Sequence, residues 1–205
     1  MSGSEGGGGR RRWVPWVLLL ALSAGLHLWD LGERSYHHDE SIHAKLSWDL
    51  ARSGHYRYDP TYHGPVLYYL TALTYVTVGD TDFTARLPAA FAGIAMVGVA
   101  WFLRRPLGGR AAWWTGFLFT VSPLNLFFGR FIREDVIELL FASAAMVAWT
   151  RVAHDRPQAW AWLGVWTGLA FAVKENAYVT VALLGATALM LGVDRGLRTT
   201  VPDAV

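Results

Sequence analysis

The sequence predicts an all-α, polytopic integral membrane helical bundle whose long first outer loop carries an amphipathic interfacial helix. Three observations lead there. Of the 205 residues, 53% are hydrophobic and only 17% charged, against about 25% charged in ordinary soluble domains. Apolar runs recur along the whole chain at lengths near the ~20 residues that a spanning helix needs. The ionisable residues gather in the joints between those runs, as His37-His38-Asp39-Glu40, Arg133-Glu134-Asp135 and Lys174-Glu175. A charge at the centre of a spanning helix costs at least ~2.5–3.5 kcal/mol, so such groups belong at helix ends or in a wet cavity and point to a site.

Residues 1–12 read as a disordered cytoplasmic amino terminus, Gly/Ser-rich up to Gly9 and closing on Arg10-Arg11-Arg12. The run Trp13–Trp29 is the first span. A basic segment before an apolar one is also how a signal peptide looks, but no small-x-small cleavage site follows it and more apolar segments do. The remaining spans are Arg86–Leu103, Ala111–Phe128, Val136–Ala153, Trp160–Val173 and Ala177–Val193, about six within residues 13–193. Residues 194–205 are a cytoplasmic tail. Ending just after a span, the chain is expected to be the amino-terminal piece of a longer protein.

With the amino end inside, the inner segments hold 10 of the 18 Lys and Arg residues and 4 of the 16 acids. That asymmetry follows the positive-inside rule and places all three charged clusters on the outer face of the cell membrane. Single cysteines at Gly108 and Gly129 would report the two sides, since the chain has none of its own. The short apolar run 65–79 bears on this count, because a seventh span there would invert every later joint. Its 15 residues, Gly64-Pro65 start and three tyrosines suit an interfacial or re-entrant element. The outer loop 30–85 is therefore long. Within it Asp39–Ser53 reads as a helix, with Ile42, Leu46 and Leu50 recurring every four residues as a stripe for lipid or for the bundle.

No basic stripe of the nucleic-acid-binding kind occurs, so a nucleic-acid partner is not expected. Without cysteine, thiolate metal sites are excluded. Asp39 has two readings, a helix N-cap or a general base. Five of the seven histidines share its loop, and a carboxylate beside imidazoles suits proton transfer or metal binding. A hard divalent cation, Mg or Mn, is the candidate cofactor, with Asp39, His43 and Asp135 as candidate ligands. Arg130 and Arg133 carry the planar guanidinium suited to phosphate. Lys174 is either the salt-bridged tip of a helical hairpin or a cation for an anionic substrate.

Taken in order, these motifs resemble a known family. An acidic pair follows the first span, then comes His-Gly-Pro-x-Leu-Tyr-Tyr-Leu at His63–Leu70. Ala85-Arg86-Leu87-Pro88, Arg104-Arg105, Ser122-Pro123-Leu124, Arg133-Glu134-Asp135 and Lys174-Glu175-Asn176 follow. The set resembles the C-type membrane glycosyltransferases, which include the protein mannosyltransferases and aminoarabinose transferases, and is most similar to the flippase activity-associated branch. The resemblance covers about residues 13–193. It implies a hexosyltransferase-type enzyme using a polyprenyl-phosphate sugar donor and an acceptor on a protein or lipid-linked glycan. It implies Asp39 as catalytic base with Glu40 beside it, and Glu134 and Asp135 as the second acidic motif. His38, His63, Arg133 and Lys174 are then the candidate substrate-binding residues. The sequence has His63-Gly64-Pro65-Val66 where the family commonly has Lys-Pro-Pro-Leu. Two other classes compete: a non-catalytic accessory of a lipid-linked sugar flippase, and a membrane transporter. Transporters tend to place their ionisable residues mid-span at broken helices, whereas here they sit at span ends.

Overall fold

The structure is a computed structural model and describes residues 8–152 and 157–200. The first seven residues of the expected disordered terminus, most of the His154–Gln158 joint and the last five residues of the tail lie outside the described residues. The described residues are all-helical: α1 (Gly8–Leu28), α2 (His38–Ser53), α3 (Val66–Val78), α4 (Asp82–Phe102), α5 (Arg104–Leu107), α6 (Gly109–Val121), α7 (Pro123–Phe128), α8 (Asp135–Val152), α9 (Gln158–Val173) and α10 (Ala177–Thr200), with one 3-10 turn at Pro60–Tyr62. The backbone is already helical at Gly8, inside the stretch expected to be disordered.

α4 is the hub. It packs on α1, α3, α6, α7 and α8. Its buried faces are built from small residues, among them Ala85, Ala89, Ala90, Ala92, Gly93 and Ala100, which let neighbouring helices approach closely. Among the described residues α4 alone is long and apolar enough by itself to cross a bilayer. α8 has the length but carries Asp135, Glu138 and Arg151. Large apolar side chains lie exposed on α1 (Val17, Leu18), α6 (Trp114, Leu118), α9 (Trp160, Trp162) and α10 (Leu189, Met190). A soluble domain would bury such faces; in a membrane bundle they face lipid.

The expected third span, Ala111–Phe128, is two helices. Ser122 leaves the helical region, its side chain caps α7, and Pro123 starts the new helix. Proline cannot donate to the carbonyl four residues back, which frees the Phe119 carbonyl; Asn125 Nδ2 donates to it at 2.9 Å. Pro88 frees the Thr84 carbonyl in the same way, and the Thr74 hydroxyl of α3 donates to that oxygen at 2.9 Å. Away from water every freed backbone group needs such a partner, so each proline also ties two segments together. α4 starts four residues earlier than expected because Thr81 and Thr84 cap it reciprocally.

α3 has 13 residues, about 20 Å at 1.5 Å per residue, short of a ~30 Å hydrocarbon core. It packs on α2 and α4. The apolar stripe of α2 is only the margin of its contact surface. The face turned inward is Glu40, His43, Ala44, Ser47 and Leu50, three of the five polar.

His27 of α1 is fully buried, donates from Nδ1 to the Ser23 carbonyl at 2.8 Å, and is wedged between two glycines. A Cβ at Gly93 or at Gly129 would fall 2.3 Å or 2.7 Å from His27 Nε2. Gly129 therefore does not accept a cysteine, and Gly108, with φ +80°, is strained for one. Glu33, on the exposed loop after α1, and Gly109, with open space around its Cβ position, replace them as reporters. With the orientation expected from the arginines, an impermeant thiol reagent labels Glu33→Cys from outside intact cells and leaves Gly109→Cys unlabelled. The reverse pattern would invert the topology.

Candidate active site

The site lies where α2, the 129–134 segment, the start of α8 and the α9–α10 joint converge, and a buried ion pair holds it there. Glu40 of α2 and Arg86 of α4 are both almost wholly excluded from solvent. Arg86 Nε and Nη2 donate to the two carboxylate oxygens at 2.9 and 3.2 Å, and its Nη1 donates to the Leu31 carbonyl at 2.8 Å. The remaining capacity of Glu40 is taken by Arg34 at 3.0 Å and by the backbone N–H groups of His37 at 3.0 Å and Ile132 at 3.2 Å. Burial alone would raise the Glu40 carboxyl; the Arg86 guanidinium and the two backbone donors outweigh it and hold the group below the usual carboxylate range. One carboxylate thus fixes the loop after α1, the start of α2, α4 and the segment leading into Arg133.

The helix cap is His37. Its ring accepts from Asp39 N, and Glu40 closes the capping box onto His37 N. This corrects the reading of Asp39 as the cap: Asp39 sits inside the first turn, and its carboxylate is spent elsewhere. Arg133 Nη1 donates to Asp39 Oδ2 at 3.0 Å, while Arg133 Nε stands 3.2 Å from Asp135 Oδ2 in an ion contact without hydrogen-bond alignment. Lys174 Nζ donates to the other oxygen of Asp135 at 2.8 Å. Asp39, Arg133, Asp135 and Lys174, drawn from three separate stretches of the sequence, form one chain of alternating charge. Asp39 and Asp135 keep 39% and 30% of their side chains exposed, so both acids remain reachable.

Beneath that chain lies a second, closed layer. Glu134 is fully buried and neither carboxylate oxygen has a hydrogen-bond partner; burial pushes its pKa up. His43 Nδ1 is 3.6 Å from it, beyond a hydrogen bond. The Tyr68 hydroxyl donates to the Tyr62 carbonyl at 2.9 Å, so it must accept from His43 Nδ1, 2.8 Å away. That fixes the His43 tautomer. Burial, with the nearby Arg133 charge, lowers His43 to about 4 and keeps the ring neutral.

His63 and Gly64 close the side toward α9. Gly64 N donates to the Val173 carbonyl at 3.0 Å, which seats the segment directly against the start of Lys174. His63 has φ +63° and ψ −154°, a region that only glycine occupies without strain. It is held there by Glu175, whose carboxylate is 2.8 Å from His63 Nδ1. The Glu175 backbone N–H and the His63 ring hold that carboxyl below its usual value.

Asp39, Glu40, Arg133, Glu134, Asp135, Lys174 and His63 are therefore brought together. His38 is exposed, with its carbonyl accepting from Ser41. Arg130 turns away from Arg133 to the Trp29 carbonyl. The five loop histidines scatter rather than converge: His37 is a cap, His43 lies on a tyrosine, His63 meets a glutamate, and His38 and His55 are exposed. Among the described residues no three His, Cys, Asp or Glu stand in metal-holding geometry. Asp39 and Asp135 face Arg133 instead, which corrects the Asp39–His43–Asp135 ligand set. Sequence reasoning left Arg34 without a role, counted His37 only among the loop histidines and Tyr68 only among the interfacial tyrosines, and noted Arg86 only as the start of a span within a motif. Arginine at the opening of an otherwise apolar span was the one available signal.

The bundle carries a reachable acid–base chain at its charged end, and comparison with known proteins gives the family. Residues 62–204 match the dolichyl-phosphate-mannose-protein mannosyltransferase family, and the chain belongs to it. The matched part takes in His63, Arg133, Glu134, Asp135 and Lys174 and begins after Asp39. The crystal structure of ArnT from Cupriavidus metallidurans bound to undecaprenyl phosphate is similar, with a TM-score of 0.78 and 22% identity over 89% of this chain. That likeness shows the fold, a polytopic membrane bundle. The present chain spans 37% of the length of that protein. No curated protein sequence matches the chain.

Two outcomes test the scaffold of the site. Arg86→Leu leaves Glu40 buried without its main counter-charge and lowers stability by ~3–5 kcal/mol. The double change Arg86→Leu with Glu40→Leu costs less than the single one, as read from thermal unfolding in detergent. In Gly64→Ala the new Cβ would lie 2.0 Å from the Ala172 carbonyl oxygen, a backbone atom that cannot step aside. Accessibility of Lys174 to an amine-reactive probe should rise severalfold as the α9 end is pushed away.

Proposed function

We propose that this chain forms a catalytic part of a hexosyltransferase-type membrane enzyme that moves a sugar from a polyprenyl-phosphate donor to an acceptor hydroxyl at the outer face of the cell membrane, with residues 1–12 on the cytoplasmic side and Asp39 as general base. The observation that carries this reading is the Asp39–Arg133–Asp135–Lys174 chain, in which the two reachable carboxylates are each held by a cation. Family membership supports the transferase class, and the undecaprenyl phosphate bound to the similar protein supports a polyprenyl-phosphate partner.

The chemistry asks little of an acid, because a sugar phosphate already has a good leaving group. The acceptor oxygen attacks the anomeric carbon and the C1–O bond to phosphate breaks. The acceptor's proton passes to a carboxylate within hydrogen-bond reach, and the departing phosphate takes the bonding electron pair. Asp39 suits the proton because it is exposed at the mouth of the site and its cap duty falls to His37. Arg133 and Lys174 suit the departing phosphate; Arg offers a planar fork of donors and Lys a point charge. Donor phosphate binding would draw these cations from Asp39 and Asp135 and so free Asp39 to accept the proton at the moment of attack. Glu40, saturated by five donors, serves position rather than proton transfer. Glu134, closed from solvent, sets the floor.

Asp39→Asn in the complete protein tests the assignment. It keeps the shape, loses the proton acceptor, and leaves the His37 cap in place. Transfer of a radiolabelled sugar from polyprenyl phosphate in reconstituted membranes should fall by ~10²–10⁴-fold, with the protein still inserted and folded. Lys174→Ala should weaken donor use more than acceptor use. Near-normal turnover in Asp39→Asn would end the catalytic reading and favour an accessory of a lipid-linked sugar flippase.

A further inference from the structure

A partly open cavity of about 330 Å³ lies between the loop after α1 and the end of α7. It is lined by Asp30, Leu31, Arg34, Leu126, Phe127 and Arg130. The composition is that of a headgroup site. Two guanidiniums and one carboxylate line the cavity; Arg34 is ion-paired with Glu40, and neither guanidinium pairs with Asp30. Arg130 donates to the Trp29 carbonyl and makes no ion pair among the described residues. Arg34 uses Nη2 on Glu40 and on the Arg130 carbonyl, which leaves the rest of its five-donor fork. The wall opposite is apolar, and Trp29, Leu124 and Phe127 beside it are 73%, 70% and 51% exposed. Tryptophan and arginine together at this level of a bundle mark the interface between headgroups and acyl chains.

Asp30 refines the ligand. A carboxylate would repel a bare phosphate but accepts from a donor attached to one. Asp30 is held at φ +46°, a left-handed conformation that aspartate and asparagine tolerate better than most residues. We propose that this cavity binds a phospholipid headgroup, with its phosphate between Arg34 and Arg130, its ammonium or hydroxyl on Asp30, and its acyl chains along Leu126 and Phe127. Phosphatidylethanolamine and phosphatidylglycerol meet those demands. Phosphatidylcholine does not, because its quaternary ammonium has no hydrogen to donate. The same polar chemistry is available on a water-soluble phosphoester; the apolar wall favours the lipid.

The site is coupled to the scaffold of the transferase. Arg34 joins the cavity to Glu40, and Arg130 lies three residues before Arg133. A bound headgroup would hold both arginines in place and so support the segment that carries Arg133, Glu134 and Asp135.

Native mass spectrometry of the complete protein released from nanodiscs tests the proposal. Equal mixtures of phosphatidylethanolamine and phosphatidylcholine should leave one tightly retained ethanolamine lipid per protein, and phosphatidylglycerol should be retained likewise. Arg130→Gln should weaken retention by about tenfold, the loss of one charge-assisted hydrogen bond. Asp30→Asn, which suits the left-handed backbone and keeps the fold, should keep phospholipid binding but remove most of the preference for ethanolamine over choline. Unchanged retention and selectivity in both variants would overturn the site. Displacement of the lipid by millimolar glycerophosphoethanolamine would overturn the lipid assignment in favour of a soluble phosphoester; retention in its presence supports it.

Discussion

The Glu40–Arg86 ion pair is the constraint on which the rest of the charged end depends. Burying either charge alone would be prohibitive, and burying both is tolerable because both carboxylate oxygens and all three guanidinium nitrogens have hydrogen-bond partners. Five donors converge on Glu40, and they come from the loop after α1, the start of α2, α4 and the segment before Arg133. Those parts cannot move independently without stranding a charge in a place water does not reach. The chain of Asp39, Arg133, Asp135 and Lys174 is thus mounted on a saturated base.

The candidate site has two layers of different exposure. In the upper layer acids and bases alternate; Asp39, Arg133 and Asp135 keep partial contact with water while Lys174 is nearly buried, so the Asp39–Arg133 link is the most weakly held. In the lower layer Glu134, His43 and Tyr68 are dry. A neutral His43, its tautomer fixed by Tyr68, lies beside a carboxyl whose charge is disfavoured by burial. A further cation–anion pair at this depth would pull Arg133 or Lys174 down from the mouth. The strained His63 belongs to the same economy: its backbone is fixed because Gly64 lies flat on the α9 carbonyls and Glu175 holds the ring.

Proline has an unusual part in the membrane-facing scaffold. Pro88 and Pro123 each free a carbonyl, and each carbonyl is taken by a side chain that thereby joins two elements, Thr74 to α4 and Asn125 to the end of α6. The break at Ser122-Pro123 lets α7 turn, and its end passes closely under His27. The packing there leaves no room for a Cβ at Gly93 or Gly129. Local backbone chemistry, long-range packing and the position of the 129–134 segment are in this way one problem.

Composition, apolar run lengths and the placement of charges at run ends determine by themselves that this chain is a helical membrane bundle with charged clusters at its run ends, and the order of its motifs already points to the family. The first turn of α2, the acid clusters and Lys174 are legible for the same reason: each depends on local spacing and on the cost of charge in lipid. Tertiary structure alone decides which charges meet. Asp39 and Asp135 share Arg133 across 94 and 2 residues of sequence, Arg130 turns the other way, and the histidines disperse. That Glu40 is clamped while Asp39 is reachable follows from a one-residue step, about 100° around the helix axis, that turns one carboxylate toward Arg86 and the next toward the mouth of the site. Spacing places residues on a helix, but only the neighbouring helices determine what each face meets.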